Sequence, residues 1–403
     1  MNEMFDRLFD LKSAGTTVRR EVLAGLTTFA TMSYIVFVQP TVLSQCGMDF
    51  GGVLLATCIS AEIACLVMGL YARYPIALAP GMGENFYFAL VVCGPVAAGG
   101  LGYSWQTALA AVFVSGVLFL ILSFFGFRER IVDAIPHSLK CGIAAGIGLF
   151  IAMIGFEWSG LVVDRPGVLV GLGNLASPPV LLSLASLAVT AVLLVARVRG
   201  AILFGILFGF AVGLATGVVQ WHGIVGLPKI HEPVMFRLDF SRVFGSAGII
   251  GAIFIFFFLD LFDTVGTLIG VAEQGGLIVD GRLPRARQAF AADALGTTIG
   301  SLLGTSTITS YVESAAGVSA GGRTGLTAVV AGLLFLVAPL FSPIAQSVGE
   351  GYALDTGAVL YPVVAPALII VGFMMAQNAR KIEWDDYVCS IPYSRKSDTT
   401  CEL

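Results

Sequence analysis

The sequence predicts an all-α polytopic membrane protein. Three observations lead there: an apolar share of 57% against 12% charged residues, long runs without any charge, and positive charges that alternate from loop to loop. Soluble domains carry roughly 25% charged residues. Runs such as Val22–Leu43 and Ser177–Ala196 have none, and a run of about 20 apolar residues spans a bilayer. About twelve segments follow: 22–43, 52–71, 76–92, 105–125, 133–155, 178–196, 200–219, 246–270, 287–303, 305–321, 324–341 and 356–376. Loops on the cytoplasmic side should be the richer in Lys and Arg. With this count, of 22 such residues only Arg165, Lys229, Arg237 and Arg242 fall on the other side. The alternation supports the segment count and a cytoplasmic N-terminus.

The N-terminus, MNEMFDRLFDLKSAGTTVRRE, is amphipathic with mixed charges and is no cleavable signal. Net charge is −4, and no basic patch points to nucleic acid. The seven Cys show no CxxC spacing, so free apolar thiols are expected rather than disulfides or metal ligands. His137, His222 and His231 read as loop residues, neither metal ligands nor catalytic bases. No cofactor and no metal is expected.

Segments three and ten are poor spanning helices. Segment three reads YPIALAPGMGENFYFAL, and segment ten carries STITSYVESAAG, with hydroxyls and one acid, Glu313. Broken backbone at membrane depth is tolerated only under protein or beside a water-filled cavity. A matched pair of interrupted segments in two halves is the sequence signature of a transporter site. Segment three is third after the start and segment ten third after segment seven, and a repeat of seven spans inverts the second half. Tyr34 and Glu84 are separated by the same number of residues as Asp263 and Glu313. Each weak segment reads as a short extended piece followed by a half-helix. Thr305–Val312 favours extended backbone, and Ser310-x-x-Glu313 has the form of a capping box. In segment three the extended piece is Pro80–Gly83, with a helix from about Glu84.

Acids inside spans cost roughly 2.5–3.5 kcal/mol at a helix centre. The candidates are Asp260, Asp263, Glu84 and Glu313, with Glu62 and Glu157 less central. Segment eight, FIFFFLDLFDTVGTLIG, sets Asp260, Asp263, Thr264 and Thr267 at i, i+3, i+4 and i+7, one polar stripe on a lipophilic helix. Asp263 is expected to bind substrate, although it could merely bond a neighbouring helix. Asp260, Thr264, Thr267, Thr309 and Ser310 are expected to support. Glu313 could cap its helix, meet a ligand, or do both. For Glu84, substrate contact and helix-end support stand equal. Tyr34 and Phe86 join the substrate-contacting candidates, although aromatics there more often pack. Carboxylates, aromatic faces and half-helix N–H donors suit a flat, neutral heterocycle with N–H groups and carbonyls. Two acids would repel an inorganic anion. Asp263 and Glu313 are also the candidates for proton coupling. A membrane-embedded enzyme is disfavoured, because no HExxH, GxSxG or His/Cys cluster appears.

REVLAGLTTFATMSYIVFVQP, LAPGMGENFYF, DLFDTVGTLIG and GTSTITSYVESAAGVSAGGRTGLTA resemble the nucleobase–cation symporter-2 family, within it the adenine/guanine/hypoxanthine permease branch. The resemblance implies fourteen segments in two inverted repeats of seven. It implies a core domain in residues 22–130 and 244–345, and a gate domain in 131–243 and 346–387, after an N-terminal stretch 1–21. A nucleobase would lie between the short strands of segments three and ten, held by Asp263 and Glu313, with backbone near Glu84–Phe86 completing the pocket. The expected activity is proton-coupled import of a purine across the plasma membrane. The expected partners are a purine nucleobase, a proton and the lipid bilayer, with a homodimer as one expected assembly. A uracil/xanthine-type permease and a transport-inactive member are the alternatives. The latter arises because residues 388–403, VCSIPYSRKSDTTCEL after Tyr387, are polar where two further spans are expected.

Overall fold

The computed structural model describes residues 6, 8–125, 137–165, 167–243, 245–278, 283–354, 358–382 and 384. Cys389, Cys401 and the tail 388–403 lie outside them. Elements α1 (Val18–Met32) and α2 (Ile35–Ser44) form the first segment, broken at Ser33–Tyr34. Next come α3 (Phe50–Val67), β1 (Leu78–Pro80), α4 (Met82–Phe86), α5 (Trp105–Phe125) and α6 (His137–Trp158). A hairpin of β2 (Val162–Arg165) and β3 (Leu169–Leu172) leads to α7 (Pro178–Val195) and α8 (Ala201–Ala215). The second half comprises α9 (Ala247–Gly275), α10 (Ala286–Leu303), β4 (Ile308–Ser310), α11 (Ser314–Ser319) and α12 (Gly325–Val337). After these come α13 (Ser342–Gly349), the short hairpin β5 (Tyr352–Ala353) and β6 (Val359–Leu360), and α14 (Ala365–Ala376).

Among the described residues six helices are long and apolar enough to cross a membrane, the longest Ala247–Gly275. Every expected segment contains an element, but several bounds shift. The seventh ends at Ala215, and the twelfth begins only at Ala365 because 359–360 is strand. His137 starts a helix rather than lying in a loop.

Small residues let the helices approach closely. Gly69 of the π-helical turn after α3 faces the Gly325 carbonyl, and Gly148 of α6 lies against the backbone of Gly372 and Ala376. Gly116 of α5 meets Thr298 of α10. Between helices, wholly buried Glu21 takes the Arg323 N–H at 2.9 Å, the Thr324 N–H at 3.3 Å and the Thr327 hydroxyl at 2.6 Å. It thereby holds the turn that leads into α12.

At the centre β1 and β4 pair antiparallel, Leu78 opposite Ser310 and Pro80 opposite Ile308. Both strands are wholly buried. Two strands alone leave backbone groups over, and each would be costly in the membrane interior. The surroundings supply partners. Gly81 N–H donates to Thr307 O at 2.9 Å and Tyr311 N–H to Ala77 O at 3.0 Å. Leu78 N–H meets the Cys65 thiol at 3.1 Å, Ala77 N–H the Ser314 hydroxyl at 3.0 Å, and Ile308 N–H the Thr297 hydroxyl at 3.0 Å. The hydroxyls of this region thus stand in for a helix's missing ladder.

Candidate functional site

Helix α9 passes beside β4 and presents its polar stripe there. Asp263 is half-buried and accepts the Thr309 hydroxyl at 2.9 Å. Asp260 is wholly buried and accepts from Thr297 at 3.2 Å and Thr264 at 3.5 Å. Thr267 is buried on the same helix. Thr264 gives its shorter bond, 2.8 Å, to Asp293 of α10.

Asp293 escaped the sequence reading. It is wholly buried and also accepts the Ser310 hydroxyl at 3.2 Å. The signal was present: an acid within the apolar run 289–303, subject to the same insertion cost. Asp260, Asp293, Thr264, Thr297 and Ser310 together tie α9, α10 and β4 into one unit.

Glu313 lies between β4 and α11, where it occupies the N-cap position with no side-chain cap bond. The expected Ser310–Glu313 capping box is therefore not formed. The strand runs through Ser310, whose hydroxyl is committed to Asp293, and the helix starts at Ser314. The freed Glu313 carboxylate accepts the Tyr34 hydroxyl at 2.5 Å. Tyr34 stands at the break between α1 and α2 and is buried, its ring 6.5 Å from that of Tyr311. Tyr311 in turn donates to Pro80 O at 2.5 Å.

In the other break the helix begins at Met82, two residues earlier than expected. Glu84 is 1% exposed. Its carboxylate folds back against Gly81, where a Cβ would collide with Glu84 Oε2 and come within 3.1 Å of the Thr309 methyl. Phe86 packs rather than facing open space, edge-on to Trp158 of α6 at 5.7 Å. Gln39 and Asn85 were also missed. Asn85 donates to Gln39 Oε1 at 2.8 Å, and Gln39 donates to Thr305 at 2.9 Å and Ser306 at 2.8 Å. This amide chain joins α2, α4 and the approach to β4. His222 and His231 lie far from these groups in sequence and pair with Glu350 at 3.5 Å and Asp49 at 3.3 Å.

Of the acids, then, Asp263 and Glu313 keep some exposure while Glu84, Asp260 and Asp293 keep essentially none. Among the described residues no Lys, Arg or His forms an ion pair with Asp263 or Glu313. A cavity of about 390 Å³ reaches Glu313, bordered by Thr31, Gln274, Val312 and the Arg197–Ile202 turn. The cavity gives access to the Glu313 carboxylate, while Asp263 lies outside its lining.

Residues 19–392 match the Permease family that takes its name from xanthine and uracil permeases. The chain is 46% identical to a putative permease of Methanocaldococcus jannaschii, over 96% of this chain and 85% of that one. It is 43% identical to the guanine/hypoxanthine permease PbuO of Bacillus subtilis, over 94% and 86%. To the adenine permease AdeP of Escherichia coli it is 42% identical, over 96% and 84%. The transmembrane domain of a cyanobacterial bicarbonate transporter, BicA, superposes with a TM-score of 0.64 at 15% identity, covering 90% of this chain and 92% of that domain. At that identity the likeness concerns the fold.

Proposed function

The chain belongs to the xanthine/uracil permease family of nucleobase–cation symporters, and on that premise we propose that it imports a purine nucleobase with protons by alternating access. It is a multi-pass membrane transporter and not an enzyme. Nucleobase transport is the reading its relatives support; guanine, hypoxanthine or adenine as cargo and the proton coupling are our inference.

The observation that carries the proposal is the pair of half-open acids beside the crossed breaks. Among the described residues neither Asp263 nor Glu313 pairs with a cation, and each accepts one hydroxyl, from Thr309 and Tyr34. Each carboxylate has acceptor capacity left for the N–H edge of a flat heterocycle. Binding such a ring would use hydrogen bonds to charged groups, worth about 1.5–3 kcal/mol each.

We further propose that α1–α5 and α9–α12 act as the core domain and α6–α8 with α14 as the gate. The N-terminus faces the cytoplasm in the cell membrane, so the cavity bordered by Arg197 and Arg199 opens inward. The test is uptake of labelled guanine, hypoxanthine and adenine into cells expressing this chain, across a pH gradient, beside Glu313→Gln. Uptake unaltered by that substitution would remove Glu313 from the mechanism. A chain that takes up uracil or xanthine instead favours the alternative cargo class.

A further inference from the structure

Two cysteines meet at the far ends of the first and third segments. Cys46 lies in the turn after α2, and Cys93 in the turn after the π-helical stretch Tyr87–Val92 that continues α4. The Cys93 thiol is hydrogen-bonded to that of Cys46, and the Cys46 thiol donates to Leu43 O at 3.0 Å. Both side chains are half-exposed and both are free thiols in this structure. The other described cysteines, Cys58, Cys65 and Cys141, are buried. Among the described residues no third His, Cys, Asp or Glu joins the pair, so it lacks the ligand count of a zinc site.

Disulfides persist on the oxidising side of a membrane, whereas the cytosol keeps thiols reduced. With the N-terminus in the cytoplasm, segments one and three both run outward, and Cys46 and Cys93 both emerge on the outer side. We propose that Cys46 and Cys93 form a disulfide there, a staple between the outer ends of the two segments. The inference rests on the orientation given with the transport reading above. The oxidant is a disulfide, of a small thiol or of a thiol oxidase. The Cys46 sulfur, losing its proton, attacks it to form a mixed disulfide and release one thiol. The Cys93 sulfur, losing its proton, then attacks Cys46, closing the internal bond and releasing the second thiol. Two protein thiols are oxidised and one oxidant disulfide is reduced, and the released thiols take the two protons. The staple joins elements that already touch deeper in, where Asn85 of α4 donates to Gln39 of α2 at 2.8 Å. Both belong to the proposed core, so the bond stiffens one body and leaves its movement against the gate free.

The experiment treats the full chain, purified in detergent, with oxidised glutathione and counts thiols after denaturation by a maleimide–polyethylene glycol mobility shift. Oxidised wild type is expected to show two fewer thiols than the reduced chain's seven, while Cys46→Ser and Cys93→Ser lose none. It is expected to melt about 5 °C above the reduced form, a shift absent from Cys93→Ser. An unchanged count in wild type overturns the inference, as does a pair of thiols still lost in Cys93→Ser. If a Ser variant fails to fold, wild type is cleaved at Arg73, between the two cysteines: halves joined until reductant is added support the staple, and halves that part without it overturn it. Intact cells, mildly reduced, are then treated with a membrane-impermeant maleimide. Labelling of Cys46 and Cys93 from outside is expected; labelling only after permeabilisation overturns the outer disulfide together with the orientation. Purine uptake should be alike in reduced and oxidised cells, and a loss on oxidation that Cys93→Ser prevents overturns the staple in favour of a lock. Reduced cells that take up no purine refute the transport reading, while the thiol count still decides the pair.

Discussion

Asp260 and Asp263 stand one turn apart on the same helix and have opposite surroundings. Asp260 is sealed against α10, with Thr264 and Thr297 as donors. Asp263 turns toward β4, keeps part of its surface, and has Thr309 as its hydrogen-bond donor. The inner acid, together with Asp293, binds helices to a strand. The outer one offers acceptor capacity to a guest. An acid in a span is thus not one kind of feature: its hydroxyl cage decides whether its acceptors are committed to the protein or left open, and the open one is the acid we propose for the cargo.

The comparison breaks most readily at Asp263. Asp263→Asn is expected to lower nucleobase uptake by about 10–100-fold, the loss of one hydrogen bond to a charge, with the melting temperature of the purified protein nearly unchanged. Asp293→Leu should do the reverse in order. It removes the acceptor of the Ser310 hydroxyl and leaves Thr264 only its longer bond to Asp260, and an unsatisfied buried group costs about 1–3 kcal/mol. Lower thermal stability and yield should appear before any change in purine affinity of the folded fraction. If both variants act alike on stability and on affinity, the division between holding and binding acids is wrong.

Much of this was legible along the chain. The stripe at 260, 263, 264 and 267 needed only helical spacing, and the two breaks declared themselves by Gly, Pro and hydroxyl content. What stayed hidden depended on partners remote in sequence. Ser310 looks like a cap three residues before Glu313, but Asp293 takes its hydroxyl, so the box cannot form. Tyr34 reads as packing until the fold sets it on Glu313. Phe86, a candidate of the same standing, is set edge-on to Trp158. Asp293 was hidden by company: the Ala and Gly around it lend α10 an apolar look, while Thr297 turns toward Asp260.

The two breaks sharpen the contrast further. The break before α4 relies on a missing side chain and the one before α11 on present ones. Gly81→Ala would drive a Cβ into the Glu84 carboxylate. The expected cost is about 1–3 kcal/mol, as for overpacking, read as a lower melting temperature. Paired with Glu84→Ala, which removes the obstructing carboxylate, the Gly81→Ala penalty should shrink. An undiminished penalty in the double variant would show that the Thr309 methyl, not the carboxylate, makes Gly81 necessary.

The smallest effect belongs to Thr309→Val, which keeps the shape of β4 and removes only the hydroxyl on Asp263. Valine suits an extended strand, and the Ala79–Thr309 register depends on backbone, so folding should be preserved. The hydroxyl stabilises the ionised Asp263, so its loss makes the bare carboxylate harder to maintain. It also releases an acceptor position that a ligand N–H could use. The first effect weakens binding and the second strengthens it, and they partly cancel. A net weakening of about fivefold, near 1 kcal/mol, is expected in purine binding, because the protein donor is pre-placed whereas a ligand must be ordered to replace it. Tighter binding in Thr309→Val would mean that the nucleobase competes for the acceptor position Thr309 occupies.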